Sequence, residues 1–181
     1  MPIPEFDRLN NILPPHTGDP TSRFGLSPFS CSWNEVESRF GVSEDRSVLL
    51  DGLLRFRKEL RDRGIFGFQW LDGSFVEDCE QQRGRPPGDI DVVTFIDKSI
   101  PVSTVMEVVQ DRQLGPPASK DRFHVDSYFV YLGEVPRVVI RNCTYWYGLF
   151  SHRRDDALWK GMLEIPLELS VVDVLSAREK S

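Results

Sequence analysis

The stretch IFGFQWLDGSFVEDCEQQRGRPPGDIDVVTFI, residues 65–96, decides how this chain is interpreted. It begins with an apolar and aromatic run that ends at Gly73-Ser74, and it closes with a second apolar run that contains Asp89 and Asp91. The polar segment between them is rich in proline and glycine, which predicts a loop over residues 77–88. The two apolar runs are predicted to be strands over residues 66–71 and 89–96.

The two aspartates are the unusual feature of the second run. Side chains alternate along a strand, so Asp89 and Asp91 point to the same side, close together. Two partly desolvated like charges repel unless a cation lies between them, and oxygen ligands favour Mg²⁺ or Mn²⁺. A simpler interpretation is that Asp89 caps the strand while Asp91 binds a neighbouring backbone group, and the aspartates alone do not decide between the two.

Two further features favour a phosphate and metal site. The glycine of Gly73-Ser74 allows the backbone to approach a phosphate, and backbone amides with the serine hydroxyl would hold it. Asp126 is a third carboxylate, on an alternating segment over residues 123–132 that predicts another strand. Three carboxylates and a phosphate-binding turn are the arrangement that two-metal phosphoryl transfer needs.

Arg83 and Arg85 lie in the predicted loop and are further candidate nucleotide-binding residues. They could close over a triphosphate, although most loop arginines have no such role.

Gly73-Ser74, then Asp89-Ile90-Asp91, then Asp126 on a later strand resembles the DNA polymerase β-type nucleotidyltransferase superfamily. Within it the chain is similar to the small stand-alone bacterial "minimal" nucleotidyltransferases. The resemblance implies an α+β single domain with a mixed, mostly antiparallel β-sheet flanked by helices. It also implies that the three aspartates are catalytic and bind Mg²⁺ or Mn²⁺, and that Gly73 and Ser74 bind the nucleotide.

The implied reaction moves a nucleoside monophosphate from an NTP, with ATP favoured, to a hydroxyl of a protein or RNA acceptor. The resemblance suggests a toxin–antitoxin or phage-defence setting and a small helical partner protein. A catalytically degenerate fold that acts as a binding or antitoxin module is the alternative, and a Mg²⁺-dependent phosphohydrolase is a third possibility. The sequence carries no comparable signature for the acceptor.

Length and composition limit the class of protein. A chain of 181 residues is long enough for one domain with its own core, and its charge of -6 argues against general nucleic-acid coating. No apolar run approaches the roughly 20 residues that a membrane helix needs. Three widely spaced cysteines fit neither a disulfide framework nor a zinc site, so we expect a cytoplasmic protein.

The chain is predicted to begin with an extended, proline-rich arm over residues 1–30 that packs on the domain, with disorder as the alternative. Residues 31–181 would form the domain, with the catalytic core at about 65–132. Helices are predicted at 33–40 (capped by Ser32 and Glu35), 44–63, 102–111 and 167–180, an edge strand at 162–167, and either a strand or the start of a helix at 135–140.

Basic and aromatic residues are interleaved between residues 137 and 160. They could hold a base or an acceptor nucleic acid, but a packed aromatic helix followed by a solvated turn explains the same pattern. The basic members are Arg137, Arg141, Arg153, Arg154 and Lys160.

Overall fold

The computed structural model describes residues 3–168. Its centre is a five-stranded sheet in the order β1-β5-β2-β3-β4. The β1–β5 and β3–β4 pairs are parallel, whereas β5–β2 and β2–β3 are antiparallel. The strands are β1 (Phe29–Ser30), β2 (Gly67–Asp72), β3 (Ile90–Ile96), β4 (Val125–Tyr131) and β5 (Leu163–Pro166). The predicted α+β class, a single domain with a mixed sheet flanked by helices, is confirmed.

Six α-helices accompany the sheet in this part of the chain. They are α1 (Trp33–Phe40), α2 (Glu44–Asp62), α3 (Cys79–Arg83), α4 (Val102–Gln110), α5 (Ala118–Phe123) and α6 (Pro136–Phe150). The predicted capping box is present, since Ser32 Oγ accepts from Glu35 N and the Glu35 carboxylate accepts from Ser32 N. Ser43 caps α2 by accepting from Arg46 N at 3.3 Å. The first two helices therefore begin where the sequence predicts.

The two faces of the sheet are covered by different helices. The larger core lies on one face, where apolar side chains of α1, α2, α4 and α5 pack against the sheet. The other face carries a smaller aromatic cluster beneath α6, formed by Trp70, Val93, Phe95, Val130, Phe150 and Met162. Because side chains alternate along each strand, Asp91, two residues before Val93, and Asp72, two residues after Trp70, also lie on the α6 face.

Two short helices lie where the sequence predicts loop or strand. The segment 77–88 was predicted to be irregular, but it contains α3, whose first turn is capped by Asp78 accepting from Gln81 N. The strand predicted from residue 123 begins at Val125 instead, because Phe123 ends α5 and His124 takes a left-handed conformation with φ 55°. His124 is therefore not on the strand face of Asp126.

The remaining alternatives are also decided. Residues 135–140 lead into helix α6, with Pro136 at its first turn. The strand β5 was predicted to be an edge strand, but it lies between β1 and β2. Pro166 is tolerated there because β1 pairs only with Leu163 and Glu164, so its missing N–H breaks no bond to that strand.

Residues 3–28 contain no helix and no strand beyond isolated bridges. Ile12 and Leu13 are nevertheless buried, and Gly161 N donates to Leu13 O at 2.8 Å. The division into an arm and a domain stays a prediction. The predicted helix over 167–180 lies outside the described residues except at its first two positions, and no helix within residues 3–168 is long and apolar enough to cross a membrane.

Candidate active site

Three carboxylates form a row across one end of the neighbouring strands β2, β3 and β4. Asp72, the last residue of β2, pairs with Asp91 of β3, and Asp91 pairs with Asp126 of β4. Strand alternation places this row on the α6 face, and Asp89 precedes Asp91 by two residues on the same side. The fold therefore brings the three predicted aspartates together and adds Asp72 to them.

Gly73 directly follows the row and fits only as glycine. Its φ of +80° lies in the left-handed region, and a Cβ built on it would lie 2.0 Å from Asp91 Oδ2. The backbone of Gly73 thus lies against the Asp91 carboxylate. Ser74 continues into a 3-10 turn over Gly73–Val76.

The electrostatics of the row favour the binding of a cation. Burial is the largest cause that raises the pKa of Asp91, and the charges of Asp89 and Asp126 raise it further, to about 6. Asp126 Oδ1 is buried and has no hydrogen-bond partner among residues 3–168. A buried acceptor without a partner and neighbouring like charges are both relieved by a bound cation.

Asp89 has a different environment from its two neighbours. Its Oδ2 lies 2.5 Å from Lys120 Nζ, which comes from α5. This ion pair is partly exposed, since 52% of the Lys120 side chain and 19% of the Asp89 side chain are accessible. Because exposed ion pairs contribute little free energy, Asp89 can exchange Lys120 for a metal ion at small cost.

The residues of the row fit a magnesium or manganese ion by their chemistry. Their ligands are oxygens alone, the donor set that Mg²⁺ and Mn²⁺ prefer. Within the described part of the chain, however, no three Asp, Glu, His or Cys side chains already surround one point as a finished metal site. Asp89, Asp91 and Asp126 are thus candidate ligands that would have to close around the ion.

Lys160 is a buried cation on the other side of Asp72. Its Nζ lies 3.0 Å from Asp72 Oδ1, and it donates to Glu77 Oε1 at 3.0 Å and to Gly73 O at 3.1 Å. Only 2% of Lys160 is accessible. Lys160 therefore joins the end of β2, the glycine turn and the segment before α3.

The charge in this cluster is shared unequally. Burial lowers the pKa of Lys160, but Asp72 and Glu77 outweigh it, so the pKa is raised overall. Burial raises the pKa of Asp72 to about 7 despite the pull of Lys160. The buried ammonium of Lys160 is thus shared by two carboxylates, and burial disfavours the charged form of Asp72 even with that ammonium in contact.

A cavity of about 610 Å³ opens above the row, beside the end of α6. Such a volume is typical of small-molecule sites. All seven predicted site residues line it, namely Asp89, Asp91, Asp126, Gly73, Ser74, Arg83 and Arg85. Asp72, Lys160, Tyr128 and Trp146 line it as well.

The arginines of this cavity differ in how far they are already engaged. Arg83 lies 3.3 Å from Glu77 Oε2 and 3.2 Å from Asp155 Oδ2, so it is held within the wall. Arg153 donates to Asn10 O and Gln82 Oε1 and pairs with Asp156.

Arg85 and Arg154 are exposed, and neither pairs with a carboxylate at ion-pair distance among residues 3–168. Arg154 is near enough to Asp91 to lower its pKa. Arg85 and Arg154 are therefore the cations available to an anionic ligand.

The basic stretch 137–160 is divided by the fold. Lys160, Arg153 and Arg154 line the cavity, whereas Arg137 and Arg141 are exposed on α6 and do not. The aromatic side of α6 packs on the sheet, since the ring centroids of Trp146 and Tyr128 are 4.4 Å apart. The packed-helix interpretation thus accounts for most of this stretch.

Sequence reasoning missed Asp72, Glu77 and Lys160 as a site cluster. The predicted loop contains Glu77 and the basic stretch contains Lys160, but neither pattern places these residues beside Asp72. Burial of a lysine has no local signature. An Asp directly before the glycine of the turn is the one signal that points to the row.

Residues 4–166 match a family described as a "Family of unknown function (DUF6932)", and since this range covers most of the chain, the chain belongs to that family. No curated protein matches the chain, and no solved structure matches it. The resemblance to nucleotidyltransferases stays a prediction.

Proposed function

We propose that this protein is a metal-dependent nucleotidyltransferase that moves a nucleoside monophosphate from an NTP to an acceptor hydroxyl. The observation that carries the proposal is the row of Asp91 and Asp126, with Asp89 beside it, next to the Gly73-Ser74 turn in one cavity. Each part serves the donor: carboxylates for cations, and a glycine turn for phosphates.

The glycine turn and two arginines would bind the donor's phosphates. Gly73 and Ser74 both line the cavity, so the backbone of their turn and the Ser74 hydroxyl can reach a phosphate there. Arg154 and Arg85 would hold the outer phosphates, since guanidinium groups pair well with phosphate oxygens. Lys160 fixes the turn by holding Gly73 O.

Asp89, Asp91 and Asp126 would hold the cations, which when bound offset the carboxylate charge and polarise the phosphate oxygens. In the reaction the acceptor oxygen bonds to the α-phosphorus, the bond from that phosphorus to the β-phosphate oxygen breaks, and pyrophosphate leaves. Asp126 is the carboxylate we assign to take the hydroxyl proton, because it lines the cavity beside Asp91 and, unlike Asp89, forms no ion pair with a lysine among residues 3–168.

The wider setting of the proposal rests on the resemblance alone. ATP is the favoured donor, a protein or RNA hydroxyl the acceptor, and a toxin–antitoxin or phage-defence system in the cytoplasm the setting. A small helical protein would be the partner.

Thermal denaturation tests the donor half of the proposal. A ligand that binds only the folded state stabilises it by about 2.7 kcal/mol at 100 times its Kd, so Mg²⁺ with ATP should raise the melting temperature. Asp91→Asn should abolish that rise, and Asp97→Asn, beyond the other end of β3, should keep it. Incubation with each α-labelled NTP then separates transfer to protein or RNA from hydrolysis.

One observation favours a second candidate, the catalytically degenerate binding module. Lys120 Nζ already forms an ion pair with Asp89, one of the three candidate metal ligands. A protein of this kind would show no Mg²⁺-dependent stabilisation by any of the four NTPs and no transfer of label. That result would sink the transferase proposal.

A further inference from the structure

A second cavity, of about 720 Å³, lies on the side of α6 away from the carboxylates. It has three aromatic side chains in its wall, Trp70, Tyr147 and Trp159. It carries no carboxylate or arginine in its lining, in contrast to the first cavity. Its chemistry therefore suits a flat, uncharged group rather than a phosphate.

The rings of this second cavity are held in place by contacts outside it. Trp70 Nε1 donates to Glu164 Oε2 at 3.0 Å, and Tyr147 Oη donates to Ser27 O at 3.4 Å. Trp159 packs against His16, with ring centroids 5.7 Å apart. A ligand that stacks on these rings would meet a surface that is already ordered, which lowers the entropic cost of binding.

Gly148 and His152 line both cavities, so one ligand can extend from the first to the second. Gly148 lies inside α6, where glycine is a poor helix former. No neighbour among residues 3–168 requires glycine at this position, because a Cβ built there would meet no heavy atom within 4 Å. The glycine thus keeps space open at the border of the two cavities without serving the packing of the helix.

His152 adds a polar atom at the same border. Its Nδ1 lies 3.0 Å from Gly148 O and 3.1 Å from Ser151 Oγ, and in the tautomer that donates to the carbonyl Nδ1 carries the hydrogen. In the neutral ring Nε2 is then an acceptor. Thr144 and Ser151 supply hydroxyls to the lining of the second cavity. A few polar groups among aromatic walls are what orients a heterocycle.

We infer that the second cavity is the site for the nucleobase of the donor, with its phosphates in the first cavity and Gly148 beneath the link between them. This inference rests on the proposed function, because it takes the phosphate end of the ligand as given. It adds the part of the site that distinguishes a nucleotide from a plain polyphosphate.

Binding of two probes tests the inference: Mg²⁺-ATP, and Mg²⁺-tripolyphosphate, which has no base. Stacking on aromatic side chains contributes about 1–3 kcal/mol per base, so ATP should bind the wild-type protein roughly 5- to 150-fold more tightly than tripolyphosphate. Trp159→Ala, which changes a residue of the second cavity alone, should leave the Kd of tripolyphosphate unchanged, whereas Gly148→Leu should remove most of the ratio by weakening the binding of ATP. The melting temperature of Gly148→Leu should not fall, because leucine is a better helix former than glycine.

Two further variants complete the experiment. Trp159→Ala should reduce the ratio as well, and it removes a side chain that is 37% accessible rather than part of the core. Gly18→Leu places the same substitution at an exposed glycine that also has open space and lines neither cavity, so it should change neither Kd.

The outcomes separate this inference from the proposed function. Equal wild-type affinities for the two probes, or a ratio that survives Gly148→Leu, would overturn the base site and leave the phosphate site standing. Failure of the wild-type protein to bind either probe would overturn both.

Discussion

Asp72 and Asp91 pair directly across β2 and β3, yet their surroundings differ in charge. Asp72 lies 3.0 Å from the buried Lys160, which Glu77 also holds. Asp91 has Asp89 and Asp126 as its nearest charges, and these raise its pKa further beyond the effect of burial. The fold supplies an internal cation to one carboxylate and leaves the other to a cation from solution.

The difference separates a structural role from a binding role at neighbouring positions. A carboxylate with its own lysine contributes to the order of the turn that follows it. A carboxylate among like charges destabilises the empty protein and is stabilised by what it binds. Loss of Lys160, which holds Asp72, should therefore lower stability, whereas loss of the charge on Asp91 should raise it.

Lys160→Met should have the largest effect, a loss of about 3–5 kcal/mol in the free energy of unfolding, because it leaves buried Asp72 without a cation and leaves Glu77 with Arg83 alone. Urea denaturation measures it. Lys58→Met is the matched control: this exposed lysine pairs with Asp62 on α2, and its loss should cost less than about 1 kcal/mol. Equal costs for the two would show that Lys160 holds nothing together.

Asp91→Asn should stabilise the protein without metal and abolish its activity. A pKa raised from 3.8 to about 6 corresponds to a penalty on the order of 3 kcal/mol for the charged group, which asparagine does not carry. Transfer of label from an α-labelled NTP should fall at least about 100-fold. A variant that is less stable than wild type above pH 6 would contradict the assignment of Asp91 as a strained carboxylate.

The pH dependence of stability isolates the same group. Its folded-state pKa is raised, so its contribution to stability is complete below about pH 3.8 and is lost as the pH rises through about 6. The stability of Asp91→Asn minus that of wild type should therefore be near zero at pH 4 and reach a plateau above pH 6. Denaturation curves without divalent metal, measured at half-unit steps, give this difference. A difference independent of pH would refute it.

Arg154→Ala and Arg153→Ala should give the smallest effects, the first on phosphate binding and the second on stability. Arg154 has no ion-pair partner among residues 3–168, so its loss should leave stability within about 0.5 kcal/mol while it weakens binding of Mg²⁺-tripolyphosphate several-fold. Arg153→Ala should lower stability instead, because it removes the bonds to Asn10 and Gln82. Isothermal titration and thermal melts separate the two effects, and equal behaviour of the two variants would contradict the assignment.

The parts of the molecule that depend on local pattern could be predicted from the sequence. Ser32 with Glu35, and Ser43, define the starts of α1 and α2, because a cap is satisfied within one turn. Asp89, Asp91 and Asp126 stood out because charges are unusual in apolar strands. All three line the cavity above the carboxylate row.

The parts that depend on pairing at long range could not be predicted. Asp72 joins the row only through the register of β2 on β3, and Lys160 reaches it from another part of the chain. The short helices α3 and α5 lack a full apolar repeat, so periodicity gives no signal for them. Alternation also extended β4 into Phe123 and His124, which tertiary contacts place in a helix and its end.

The backbone contacts that join Leu13 to Gly161 have a consequence for the order in which the protein folds during its synthesis. Ser27 and Met162 are 135 residues apart and bond to each other, and Lys160 lies beside this junction. A chain emerging from the ribosome can complete its first helices early, because their contacts are local. The cluster around Asp72 must wait until residues 160–163 have been synthesised. The candidate site is therefore completed after the first helices, and a nascent chain that stops short of Lys160 carries Asp72 and the glycine turn without the lysine that holds them.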